Sequence, residues 1–191
     1  STTTLLESYD LCAAARGTAD FVDLLSNWYV RRSRERFWSS LDQPGGEVGG
    51  AIEKDKRAAY HTLHTCLTTI AQLAAPFVPF VSEELWQNLA RRVDEKAALS
   101  VHLSRWPEAD RALLDATAGL RADMETALRV VSLGRAARMD NNIKTRQPLQ
   151  AALLQLPSAA ARRGVQRFER EIKDELNVEE LRIAEEGQEL V

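Results

Sequence analysis

The sequence predicts a mainly α-helical protein: a helix bundle over about residues 1–106, continuing into a long helix and a small α+β, βαβ-like module over 107–191. Three observations carry that expectation. Apolar residues recur at three- and four-residue spacing through most of the chain, which is the period of a helix face. Gly, Pro and turn-forming clusters cut the chain into segments of helical length. Near the end, two short runs of strand length, Leu149–Leu156 and Glu180–Ala184, flank another helical pattern.

Taken in order, a first helix covers roughly Leu5–Ala15 and stops near Gly17. Thr18 then serves as N-cap of a long helix to about Ser39, with Asp20 in its first turn. Leu41–Gly50 (LDQPGGEVGG) reads as a surface loop. A third helix runs from about Ile52 to Ala75 and ends at Pro76, and a fourth starts near Ser82 and continues through Ala90. Ser100–Trp106 reads as an extended piece. Leu113–Met139 is a helix, Asn141–Pro148 breaks it, and Leu149–Leu156, Ser158–Leu176 and Glu180–Ala184 follow as strand, helix and strand. That order implies a βαβ unit with a right-handed crossover.

The chain has 191 residues, enough to bury a core as one domain or two small ones. Its 45% hydrophobic and 28% charged residues exclude wholesale disorder. No apolar run has the length of a membrane span and no signal segment opens the chain. Cys12 and Cys66 stand apart without a CxxC partner, which fits a reducing cytoplasm and speaks against a disulfide framework or a cysteine zinc site. The start at Ser1 on STTT reads as the beginning of a fragment. The net charge of −3 is unevenly spread. Ser26–Trp38 holds four Arg against one Glu, and Arg129–Gln147 holds four Arg and one Lys against Asp140. Glu169–Glu189 has nine acids against three bases. Local patches decide where a polyanion lands, so the acidic total does not veto RNA.

On an ideal helical wheel, Phe21, Leu24, Leu25, Trp28 and Tyr29 share one face, which should pack on the bundle. Prolonged, that face meets Arg32, Glu35 and Arg36. Asn27, Arg31, Arg34 and Trp38 form a separate outer ridge. A structural ion-pair network is one reading, through Arg31 to Glu35 and the helix dipole. RNA is the other: guanidinium groups take phosphates while unpaired bases stack on aromatic rings.

The motif SNWYVRRSRERFW at Ser26–Trp38 resembles the long-helix motif of the isoleucyl-tRNA synthetases, of the class I aminoacyl-tRNA synthetases. LLESYDLCAAARGTADFVDLLSNWYV is similar to the preceding helix pair of that family, and AYHTLHTCLTTIAQLAAPFVPFVSEELWQNL to the third and fourth helices. SVHLSRWPEAD resembles the segment after them, and NIKTRQPLQAALL one found beyond the bundle. The resemblance covers most of the chain. It implies the class Ia anticodon-binding helix bundle and a chain that grips the anticodon stem-loop of isoleucine tRNA. Arg31, Arg34 and Arg36 would take phosphates, Asn27 and Trp38 would lie near loop bases, and Lys144, Arg146 and Gln147 would form a second contact zone. HIGH-type and KMSKS-type sequences are absent, so no catalytic residue is expected here and the chain alone is expected to be inactive. The resemblance places ATP with magnesium, and zinc as a further candidate, in the parent ligase and none of them in this chain. It implies a cytoplasmic, monomeric protein whose partners are tRNA and the catalytic domain of its own polypeptide, with no membrane.

Other features have plainer readings. His61 and His64 could present two imidazoles to a metal, but no third ligand is evident and His64 lies on the apolar stripe. Trp86 reads as core and Trp106 as closing the bundle. Arg32 and Glu35 are expected to form an inward ion pair. Rival functions are the anticodon-binding domain of a valyl or leucyl enzyme, a helical protein-interaction module without RNA affinity, and a metal-dependent hydrolase using the histidine pair.

Overall fold

Tyr9, rather than Gly17, interrupts the first helix. In the computed structural model, which describes residues 2–38 and 47–184, α1 spans Thr2–Glu7 and Tyr9 takes a left-handed backbone with φ 60°. The Asp10 carboxylate then accepts from the Ala13 amide at 3.0 Å and caps α2, Leu11–Leu24. Helix α2 passes straight through Gly17, around which space is open. A lone helical glycine costs only about 1 kcal/mol against alanine and does not stop a well-capped helix. Thr18 is therefore not an N-cap; it is buried within α2, its hydroxyl donating to the Ala14 carbonyl at 3.1 Å. Asp20 likewise lies inside α2 and not in a first turn.

A π-helical turn, Leu25–Val30, follows, and α3 covers Arg34–Trp38. Helix α4 spans Glu47–Ala74, so the last four residues of the expected Leu41–Gly50 loop are helical, while 41–46 lie outside the described residues. Helix α5, Pro79–Trp86, begins three residues before Ser82 because proline suits the first helical turn, where its missing N–H is no loss. A second π turn, Gln87–Arg91, extends it. Ala71, Ala75, Trp86 and Val101 form a core cluster, and the Trp86 indole donates to the Ala98 carbonyl at 2.8 Å. The Ser100–Trp106 piece is not simply extended: Val101–Leu103 is a 3₁₀ turn, with Val101 buried and Leu103 exposed. The Trp106 indole donates to Thr3 Oγ1 at 3.0 Å, tying the end of this unit to its beginning.

The chain divides between Glu108 and Ala109 into two compact units. In the second, α6 is Arg111–Ala116 and α7 is Ala118–Asp140, so the helix expected from Leu113 is broken at Thr117. Strand β1, Leu149–Leu154, pairs in parallel with β2, Val178–Ile183, with Leu149 beside Val178 and Leu154 beside Ile183. Between them, Phe168 splits the expected single helix into α8, Ala159–Arg167, and α9, Glu169–Leu176. Ser158 caps α8 by accepting from the Ala161 amide at 3.1 Å. Gly164 permits α8 to lie close on α7, since a Cβ there would sit 3.0 Å from Thr126 Cβ and 3.1 Å from the Asp123 backbone. No described helix is long and apolar enough to cross a membrane.

Candidate nucleic-acid interface

The π turn decides which way the arginines point. It accommodates about one extra residue, so beyond it the core-facing side moves on by one position relative to an ideal α-helix. Ser33 and Phe37 are buried, and Tyr29, Arg32 and Arg36 are half-buried. Tyr29 donates its hydroxyl to the Ala59 carbonyl at 3.0 Å and meets Phe37 edge-on, and Phe37 meets Tyr60 with ring centroids 5.0 Å apart. Upstream, Phe21 and Leu24 remain 44% and 42% exposed, so the apolar face expected to pack on the bundle does so fully only at Leu25.

Asn27, Arg31, Arg34 and Trp38 are all exposed, Trp38 to 81%. The Arg31 Nε donates back to the Asn27 carbonyl at 2.9 Å, which draws that side chain along the ridge. Glu35 is also exposed, which corrects its placement on the inward face. Arg32 instead lies with its guanidinium carbon 5.5 Å from the centroid of the Trp28 ring, a cation–π contact. Arg36 is gripped from α4: its Nε and Nη2 each donate to an Asp55 carboxylate oxygen at 2.8 Å. That two-pronged bond raises the Arg36 pKa and holds the Asp55 carboxyl below the ordinary aspartate range. The sequence offers no local signal for it, because the partners are 19 residues apart on different helices.

In the second unit, the turn after α7 carries Lys144, Arg146 and Gln147, all exposed. Among the described residues neither Lys144 nor Arg146 has an ion-pair partner. Of the other arginines of that basic stretch, Arg129 is exposed, and Arg135 and Arg138 are structural. Arg135 pairs with the buried Glu175, and Arg138, only 5% exposed, donates to backbone carbonyls. Elsewhere, His64 Nε2 lies 2.8 Å from the Leu89 carbonyl and His61 is exposed. No group of three metal-ligating side chains exists among the described residues.

A family model described as the anticodon-binding domain of tRNA ligase matches residues 1–153. The chain belongs to this family of anticodon-binding domains. Among its relatives, a protein of Thermus thermophilus named isoleucine–tRNA ligase is 48% identical over 190 residues. Proteins of the same name from Dehalococcoides mccartyi and Deinococcus radiodurans are 46% and 43% identical over 181 and 189 residues. These alignments cover 99%, 95% and 99% of this chain but only 17%, 17% and 16% of the relatives' lengths. The anticodon-binding domain thus presents two exposed basic groups, one in each unit. In the first, all four residues of the expected ridge are exposed, and α4 supplies the inward supports Asp55, Ala59 and Tyr60 that the sequence reading missed.

Proposed function

We propose that this chain is the part of an isoleucine–tRNA ligase that grips the anticodon stem-loop of isoleucine tRNA. The observation that carries the reading is the exposed set Asn27, Arg31, Arg34 and Trp38, two arginines on the same helical run as a tryptophan that is 81% exposed. An exposed tryptophan offers an unpaired base a stacking surface while the phosphates meet the guanidinium groups. Arg31 and Arg34 take phosphates in this reading, Asn27 and Trp38 contact loop bases, and Lys144, Arg146 and Gln147 form the second zone. Arg36, engaged by Asp55, serves chiefly to hold α3 on α4. Ligation of isoleucine, with ATP and magnesium, belongs to the remainder of the parent polypeptide, a monomer of the cytoplasm.

The test is binding of the chain to isoleucine tRNA, with valine tRNA as competitor, across a range of salt concentrations. Each lost phosphate contact flattens the log–log salt dependence by about 0.7–0.9. Arg31→Ala with Arg34→Ala should therefore weaken binding and flatten the slope by roughly 1.4–1.8. Equal affinity and slope for wild type and double variant would remove the ridge from the interface. Equal competition by valine tRNA would remove the isoleucine assignment.

A further inference from the structure

The turn that carries Lys144, Arg146 and Gln147 is held from beneath by two side chains that the RNA reading does not use. Arg138, near the end of α7, is 5% exposed. Its Nη1 donates to the Lys144 carbonyl at 3.1 Å, and its Nη2 donates to the carbonyls of Leu176 and Asn177 at 2.6 and 3.1 Å. A buried cation is costly unless its donors are satisfied, and here two of the three acceptors are carbonyls at the C-terminus of α9, the negative end of that helix. Asn177 ends α9 in a left-handed conformation, φ 51° and ψ 57°. Its Nδ2 donates to the Thr145 carbonyl at 3.2 Å, and its carbonyl accepts from the Leu149 amide at 3.1 Å. The Gln147 amide donates to the Lys144 carbonyl at 2.9 Å and closes the turn.

Backbone groups at 144, 145 and 149 are therefore tied to one point at the end of α9. The side chains of Lys144, Arg146 and Gln147 are left in solvent. We propose that Arg138 and Asn177 form a latch that pre-shapes this turn for a polyanion, and that both are positioning residues for the second contact zone. The inference rests on the reading of that zone as an RNA contact. A turn already in its bound shape avoids the entropic cost of ordering on association, so the latch acts through affinity without touching RNA. Arg138 is the rigid element, because its planar fork reaches three carbonyls at once, which a lysine cannot reproduce. Asn177 is the adjustable one, since glycine takes the same left-handed backbone without strain and removes only the amide bond to Thr145.

The experiment compares wild type, Asn177→Gly, Lys144→Ala with Arg146→Ala, and the triple variant in the 191-residue chain. Amide hydrogen exchange and affinity for isoleucine tRNA are the readouts, and melting temperature guards against unfolding. Asn177→Gly should speed exchange at the Gln147 and Leu149 amides while α7 stays protected, and should weaken tRNA binding about fivefold. In the background that already lacks Lys144 and Arg146, the same substitution should change affinity by less than about twofold. Unchanged exchange in the turn overturns the latch. An equal loss of affinity in both backgrounds overturns it too, because Asn177 would then act elsewhere. If Lys144→Ala with Arg146→Ala leaves affinity and salt slope unchanged, the RNA reading of the turn fails, while the exchange data still decide whether the latch exists.

Discussion

Arg36 and Asp55 clasp one another across α3 and α4 through two parallel bonds of 2.8 Å, which holds Arg36 against α4 while Arg34 stays exposed. Arg36→Ala should therefore behave unlike Arg34→Ala. The first should lower the melting temperature with little change in the salt slope of tRNA binding, and the second the reverse. Asp55→Asn should lower stability at neutral pH as well. Because the Asp55 pKa is depressed in the folded state, its contribution is present above the ordinary aspartate pKa of about 3.9 and disappears as pH falls through the folded value. Melting curves of wild type and Asp55→Asn should thus converge in acid. A constant gap between them down to low pH would show that the loss is one of packing.

Trp38 makes the contrasting case. With 81% of its surface exposed it contributes little to folding, so Trp38→Ala should leave thermal stability unchanged. Stacking on one base is worth about 1–3 kcal/mol by alanine substitution, so tRNA affinity should fall by that amount. Titration calorimetry on the variant provides the number, and an unaltered Kd would exclude Trp38 from the RNA contact.

The exposure of Asn27, Arg31, Arg34 and Trp38 was legible because all four lie far enough off the apolar stripe that a one-position shift still leaves them outside the core. Glu35 was misplaced for a definite reason: the π turn at Leu25–Val30 shifts the register, and no residue type in LSNWYV announces a change from four-residue to five-residue hydrogen bonding. The break at Tyr9 was missed in favour of Gly17 because a tyrosine at positive φ runs against local preference, whereas the strong cap that follows it, Asp10, starts a helix able to absorb a glycine. The helix breaks at Thr117 and Phe168 were equally silent in the apolar pattern, which continues across both. Partners such as Asp55 for Arg36 and Glu175 for Arg135 are tertiary, and charge spacing along one helix cannot reveal them.

Asp123 on α7 is 2% exposed and receives Arg163 and Arg167 of α8, each at 3.3 Å, while both arginine side chains remain more than half exposed. The asymmetry predicts an order of damage. Asp123→Ala leaves two cations that water can solvate, and should cost about 1–2 kcal/mol. Arg163→Ala with Arg167→Ala leaves a buried carboxylate without partners, and should cost more, about 2–4 kcal/mol. Adding Asp123→Ala to that double variant should then restore part of the loss. Urea unfolding of the three proteins checks the order, and strictly additive losses would mean that the three side chains are not coupled.

Glu83 fastens the turn after α5 by a different route. Its Oε2 accepts from Ser100 Oγ at 2.7 Å and from the Val101 amide at 3.0 Å, while Oε1 accepts from Gln87 Nε2 at 2.7 Å. The bond from Ser100, then that from Gln87, holds the Glu83 carboxyl below the ordinary glutamate range against the opposing effect of desolvation. A depressed folded-state pKa means stability that is present above the unfolded pKa of about 4.3 and is lost as pH falls through the folded value. Glu83→Gln keeps the shape but offers one acceptor oxygen in place of two, and its NH₂ would face Ser100 or Gln87, both already donors. The variant should therefore melt lower than wild type at neutral pH. Its exchange protection at Val101 should fall as well, because that amide loses a charged acceptor. Both differences should vanish in acid, where wild-type Glu83 is protonated, and a Val101 amide equally protected in the two proteins at neutral pH would refute the assignment.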